Sequence, residues 1–344
     1  MVGSLSAMFV VGLLAPVAFA TGAQAATTRV VHPGESIQAA VNASAPGDTV
    51  VVAAGTYAQS VGIHVSGIKL VGQGAKLVPP ADAKGMDCRE GGAVGDGICI
   101  FGGDPGDPEA PVLDGVTVQG MTVVGFPDTG IFAINQTNLT YLRNTARDND
   151  EYGMAAFQTV NTRMLHNTST GGGEADFYLG DSPNANGLIR ANVAHNGGFG
   201  VFVRDSEGVT VQDNDIRGNC AGILVLADNP GPAGNVTARH NTILSNTRAC
   251  PADEGPALSG IGVALAGAND TNIQSNVISG NQPGGDTAFT GGVVLVSFGP
   301  TPPTNDVISK NTFNNNSSDV ASDGTDVGTS VRLNHCGTTP GLCK

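Results

Sequence analysis

The chain contains no tryptophan, and aromatic residues make up only 5% of it. Charged residues are also few, at 13%. A globular α/β enzyme of 344 residues would carry more charge and longer helical periodicity. Cations are the scarcer sign: 16 Lys and Arg stand against 30 Asp and Glu, for a net charge of −14. Nucleic acid is therefore a poor partner, because its binding needs basic surface. A polyanionic substrate is disfavoured too, unless cations or a local basic groove intervene. The six cysteines include no CxxC pair, so zinc-site spacing is absent.

No apolar run makes a comfortable membrane span. Residues 7–20 are nearly all apolar, but the run is short and broken by Pro16. With the small-x-small pattern Ala23-Gln24-Ala25 behind it, this segment reads as a signal peptide over residues 1–25. No Lys or Arg precedes it, and no Cys follows the cleavage site as a lipoprotein anchor would require. The expected mature protein is secreted, monomeric and without a membrane span. Cysteines in an exported chain point to disulfides. Six allow 15 pairings, and sequence proximity favours Cys88–Cys99, Cys220–Cys250 and Cys336–Cys343.

What the chain has in abundance is glycine, 50 residues, with regularly placed asparagine between short Val, Ile and Leu runs. That composition predicts many short strands joined by tight turns. Self-similarity then decides the fold. The segments Val209 to Asn219, Val236 to Asn246, Asn272 to Asn281 and Val307 to Asn316 are relatives. Their first asparagines extend to the series Asn144, Asn167, Asn192, Asn214, Asn241, Asn276, Asn311, with Met121 in the place of an earlier member. A second apolar strand follows each, as in Gly222 to Leu226 and Gly292 to Val296. The spacing predicts an all-β solenoid, a right-handed parallel β-helix of coils about 22–25 residues long, each with two or three strands. Ile223 and Val225 should point inward and Leu224 outward. The asparagines should stack at a corner, pair their amides between coils, and tolerate a left-handed backbone there. One domain is expected over 26–344, with an N-terminal cap at 30–57, coils over about 60–334 and a C-terminal cap at 330–344. The cap contains a short amphipathic helix over Glu35 to Asn42, starting near Gly34 or Glu35. Late insertions fall at 247–259 and 282–290, and insertions in solenoids often frame a binding face.

The runs Ser36 to Asn42, Pro46 to Val52, Gly55-Thr56-Tyr57 and Ile68 to Gly74, followed by the Asn coils, resemble the pectin-lyase-like superfamily. More narrowly they resemble secreted actinobacterial proteins with right-handed β-helix repeats. The resemblance covers roughly residues 30–344. It implies the fold. The superfamily holds polysaccharide lyases, glycoside hydrolases, uronan epimerases and carbohydrate-binding repeat proteins, so the activity stays open.

Aligned coils stack side chains into rows. Asp128, Glu151 and Glu174 form an acidic row, and three like charges so close must bind a cation, share a proton or splay into solvent. They are candidates for a Ca²⁺ site or for an acid of raised pKa. Asn135, Gln158, Asp181, Asp205 and then Asp228 form a second row, which suits turns. Phe132, Ala155, Tyr178, Phe202 and Leu224 form a third, outward row that either cradles sugar rings or packs beneath a loop. A lyase needs a base for the proton α to a carboxyl and a cation for the resulting carbanion. Arg204 beside Asp205, with Tyr178 one coil away, is the best such cluster, and Glu174, Asp176 and Tyr152 complete the catalytic candidates. Phe132, Phe202, Asp181, Asp205 and His195 are the binding candidates, with His166 and His195 read as turn histidines. Glu151-Tyr152-Gly153 is similar to the Tyr-Gly stretch of uronan epimerases, but Ala155-Ala156-Phe157 replaces their following Asp and His, which argues against that activity. The expectation is a secreted polysaccharide lyase acting on a uronate-containing polymer, with Ca²⁺ as the one candidate cofactor. The alternatives are a non-catalytic carbohydrate-binding protein and an enzyme of a small secreted metabolite, working under the two late loops.

Overall fold

A computed structural model describes residues 25–82, 95–103, 107, 109–228, 231–252 and 255–344. The proposed signal peptide and Cys88 lie outside these residues, except for Ala25 at the proposed cleavage point. The strands form three sheets of 12, 10 and 11 members. The first runs from Thr28–Val31 to Ser330–Arg332, the second from Gly55–Ala58 to Thr312–Asn314, and the third from Val61–Ile63 to Val320–Ser322. Each full coil gives one strand to each sheet, as in Val209–Gln212, Asp215–Arg217 and Ala221–Leu226. Neighbouring coils pair parallel and in register. The chain is a right-handed parallel β-helix, as the repeat predicts. Alternate residues enter the solenoid, so Val211, Ile216, Ile223 and Val225 are fully buried. Among the described residues, none lies in a helix long and apolar enough to cross a membrane.

The asparagine ladder is built from saturated amides. Backbone N and Nδ2 of Asn192 both donate to Oδ1 of Asn214, at 2.9 and 3.1 Å. Its second Nδ2 proton goes to the Met164 carbonyl at 2.9 Å. Asn214 repeats the pattern onto Asn241 and the Ile189 carbonyl. The series begins where Met121 N donates to Asn144 and extends one coil beyond expectation, to Asn334. One detail differs from the sequence reading. The left-handed residue is the one before each ladder Asn: Arg143, His166, Ala191, Asp213 and His240 have φ between 53° and 57°. For Arg143 and Ala191 that backbone costs about 1–2 kcal/mol each, so the corner imposes the conformation on residues that would not choose it.

A second ladder closes the next corner through Asn219, Asn246, Asn281 and Asn316. It starts at Asn149, which accepts from Phe126 N, and is then interrupted by Gly172 and Gly197. Asp176 fills the gap. Its Oδ1 accepts from the Ser169 hydroxyl at 2.8 Å and from Gly172 N at 3.3 Å.

The N-terminal helix spans Ile37–Asn42 and is capped by Ser36, whose hydroxyl accepts from Ala39 N. It therefore starts later than Gly34 or Glu35, because Ser36 supplies the capping oxygen. Ile37 and Val41 bury its apolar side against the first strands. Disulfides Cys220–Cys250 and Cys336–Cys343 are formed, as proximity predicts. The late insertions turn back onto the third sheet. Cys250 and Leu258 form an antiparallel bridge, and Leu258 and Phe289 pack on the sheet's outer face.

Replacing Asn214 with Ala strips the partners from Asn192 N, its Nδ2 and the Ile189 carbonyl. The expected loss is about 3 kcal/mol or more in urea unfolding, given the cost of buried unpaired groups. A loss below about 0.5 kcal/mol, typical of an exposed substitution, would mean that the ladder does not hold the coils.

Candidate functional site

The outer face of the third sheet carries most of the predicted residues. Its central row is in the predicted register: Phe132 pairs with Ala155, Ala155 with Tyr178, Tyr178 with Phe202, and Phe202 with Leu224. It is not an open sugar platform. Ala155, Tyr178, Phe202 and Leu224 are buried in a second apolar cluster, joined by Tyr152, Leu258, Ile261 and Val294. Leu224 points outward as predicted, yet is only 7% exposed. The aromatic core of this cluster includes a residue that the row missed. Phe157, the next outward position after Ala155, sits 4.5 Å from Tyr178 and 5.3 Å from Phe132, centroid to centroid. Its small neighbour Ala155 was the available signal. Tyr178 in turn folds over Gly180, where an added Cβ would lie 2.1 Å from the phenol oxygen.

The acidic row comes together where coils enter this sheet. Glu151 N donates to the Asp128 carbonyl, and Glu174 N to that of Glu151, so the three side chains start from consecutive rungs. Glu151 is an exposed residue whose carboxyl turns in among the other acids. Burial of that carboxyl, a hydrogen bond with Asp128, and the charges of Asp128, Glu174 and Asp96 push its pKa up to about 8. Glu151 thus keeps its proton at neutral pH, hydrogen-bonded to Asp128. Glu174 turns away, and its Oε2 accepts from the Tyr152 hydroxyl at 2.5 Å. Burial, then the Glu174 charge, drives the Tyr152 phenol far above its usual range. Tyr152 is a hydrogen-bond donor here, and no base.

Asp128, Glu151 and Tyr152, but not Glu174, line a cavity of about 250 Å³. One wall holds Asp96, Asp128 and Glu151, and the other Phe132, Tyr152 and Phe157. Asp96 escaped the sequence reading because it sits one position along from the acidic row, with its carboxylate accepting from Thr129 N. Among the described residues, no Lys, Arg or His lines the cavity.

The other candidates separate from this cavity. Asn135, Gln158, Asp181 and Asp205 have φ between 45° and 56°, so the second row is a left-handed corner. Asp228 lies one residue past it, because Arg204 pairs with Leu226 and the register partner of Asp205 is Ala227. The Asp228 carboxylate instead takes Arg204 Nη2 at 2.5 Å, while Asp205 lies 3.7 Å from Arg204 Nε. Asp181 has its pKa raised, chiefly by burial and against the pull of Arg204. Tyr178 is fully buried beside this ion network; burial raises its phenol pKa, and Arg204 opposes the rise. His195 is no turn residue: it ends a strand of the second sheet, between Thr170 and Arg217, away from the third sheet's outer face. His166 does occupy a left-handed turn. Asp176 belongs to the interior ladder and is fully buried, so it faces no substrate.

The expected Ca²⁺ site does not form. Among the described residues, no group of three or more His, Cys, Asp or Glu could hold a metal ion. Asp128 and Glu151 satisfy one another, and Glu174 is taken by Tyr152.

With the geometry in place, the comparisons agree on the fold. Residues 87–243 match the family model "Right handed beta helix region", and residues 182–339 match "Periplasmic copper-binding protein (NosD)". The A-module of the Azotobacter vinelandii mannuronan C-5 epimerase AlgE4 superposes with a TM-score of 0.54 at 18% identity, over 89% of this chain and 95% of that one. The periplasmic alginate epimerase AlgG gives 0.55 at 13% identity, over 89% and 83%. DFA-IIIase from Arthrobacter chlorophenolicus A6, without its lid and in complex with GF2, gives 0.58 at 14% identity, over 86% and 85%. No curated protein matches the sequence. The chain has the right-handed parallel β-helix fold.

Copper does not fit the residues present. Residues 182–339 contain no Met, and their Cys220, Cys250 and Cys336 are all in disulfides. Of their three histidines, His195 faces Asp215 in the second sheet, His240 stands at a left-handed corner near Asp213, and His335 lies in the C-terminal coil with its backbone bonded to Asn311 and Phe313.

Asp176 supplies a pH test of the interior. Burial raises its pKa from 3.8 to about 8. A raised pKa stabilises the fold fully below the unfolded value, and the contribution is lost as pH rises through the folded value. The melting temperature should therefore fall between pH 4 and 8. Asp176→Asn restores an amide to the ladder and should flatten that fall, with a gain at pH 8 of at least about 2–4 °C, the shift for 1 kcal/mol. Parallel pH profiles for the two proteins would contradict the assignment.

Proposed function

We propose that this protein is a carbohydrate-active enzyme whose proton-transfer group is the Asp128–Glu151 pair. The observation that carries the reading is the pair itself. One carboxyl is kept protonated near neutral pH, at the mouth of a cavity with an aromatic wall. Such an acid can protonate a departing glycosidic oxygen, while the rings of Phe132 and Phe157 cover the apolar face of a sugar. Glu174, oriented by Tyr152, is the second carboxylate within one rung. The likeness to an epimerase of mannuronan and to DFA-IIIase supports saccharide as the substrate class.

The wall of acids, faced by no cation among the described residues, favours a neutral saccharide over a uronate. Elimination at a uronate would instead draw on Arg204 and Tyr178. Their adjacency keeps that lyase reading as the second one, although Tyr178 is buried and Arg204 is engaged by Asp228. The disulfides support action outside the cytoplasm, in line with a secreted chain.

The test is a panel of neutral and uronate oligosaccharides, with products resolved by chromatography and unsaturated uronates followed in the ultraviolet. Glu151→Gln should cut turnover of a neutral saccharide by about 100-fold or more, the usual worth of general acid catalysis, while thermal stability is kept. Activity should persist below pH 8 and decline above it, as Glu151 loses its proton. Unsaturated product abolished by Arg204→Ala, with Glu151→Gln fully active, would transfer the chemistry to the lyase cluster.

A further inference from the structure

The basic residues of this acidic protein are not scattered. Where the first sheet turns into the second, five successive coils contribute residues 140–147, 163–170, 188–195, 209–217 and 237–244. These segments carry Arg143, Arg147, Arg163, Arg190, Arg217 and Arg239 against only Asp213 and Asp215, a formal charge of 6 − 2 = +4. The whole chain stands at −14, so the remainder carries −18.

Register aligns these charges into a band. Arg190, Gln212 and Arg239 follow one another along the first sheet. Arg147, Thr170, His195 and Arg217 do so along the second. Between the two rows runs the left-handed corner, with Arg143, His166, Asp213 and His240 projecting from it. The side chains stand in solvent: Arg190 is 53% exposed, Arg217 45% and His240 55%. Arg143, Arg147 and Arg163 are exposed as well. Asp213 is the one acid of the corner, held by Arg190 at 3.2 Å and Gln212 at 2.9 Å.

We propose that this corner docks an anionic polysaccharide along the solenoid axis. Parallel rungs repeat every 4.8 Å or so, a spacing of the order of one sugar unit, so a polymer with one anionic group per sugar can meet successive arginines. Nucleic acid is the poorer occupant. Duplex nucleic acid, with one charge per about 1.7 Å, is repelled more strongly by the −18 elsewhere, and the band offers no outward Phe, Tyr or Trp ring on which a base could stack. The surface is separate from the acidic cavity of the third sheet. Docking here therefore stands whether or not the cavity is catalytic.

The full-length protein is titrated with alginate, dextran and a single-stranded oligodeoxynucleotide at several salt concentrations. Alginate should bind, its affinity should fall steeply with salt, and dextran should not bind at this face. The triple variant Arg143→Asn, Arg147→Gln, Arg163→Gln should lose at least about tenfold in alginate affinity and flatten the salt dependence. Its circular dichroism melt should match the parent, Asn being chosen at 143 to suit the left-handed backbone. Asp213→Asn should tighten binding. Alginate binding that ignores salt or survives the triple variant overturns the proposal, and so does tighter binding of the oligonucleotide.

Discussion

A primary amide buried at the corner of a solenoid has two protons and two lone pairs to satisfy, and only its neighbouring coils can satisfy them. The ladder from Asn144 to Asn334 does so completely. Each interior Oδ1 takes the backbone and side-chain protons of the preceding Asn, and each Nδ2 reaches a carbonyl one coil further back. This fixes register with no tolerance for slippage, since a one-residue shift would orphan every amide at once. The strain of left-handed Arg143 and Ala191 is the visible cost of that constraint.

Once register is fixed, the surface is fixed. Residues of the same coil position must stand about 4.8 Å apart, whatever their charge. Asp128, Glu151 and Glu174 are pressed together by scaffold geometry, and a proton kept on Glu151 is how the molecule accommodates them. The same stacking lines up arginines on the opposite corner and aromatic rings beneath the late loops. Acid, aromatic and basic rows are three outcomes of one repeat.

The scaffold was legible in the sequence because its requirement is periodic. Asn at the corner and alternating Val and Ile inside leave a pattern that one chain displays by itself. The rows were legible for the same reason, down to the pairing of Tyr178 with Phe202. What stayed hidden was depth. Outward Tyr178 and Leu224 read as either a sugar platform or packing beneath a loop, and the second holds: the insertions bring Leu258 and Phe289 over them, though no local pattern announces where a loop will fold. Asp176 read as a catalytic candidate among the ionisable residues near Arg204 and Tyr178. It instead mends the ladder that Gly172 and Gly197 interrupt, a compensation visible only across coils. Asp228 missed its row by one residue, because spacing alone does not show where Arg204 and Leu226 pair.

The proton held between Asp128 and Glu151 is the claim on which the functional account rests. Carbon-13 labelling of glutamate side-chain carboxyls, followed by nuclear magnetic resonance across pH, reads it without interference from buried Asp176. One glutamate should titrate near pH 8, and its signal should be the one missing in Glu151→Gln. If every glutamate carboxyl titrates in the ordinary range near 4.5, the acids are only a solvated row and the proposed catalytic pair does not exist.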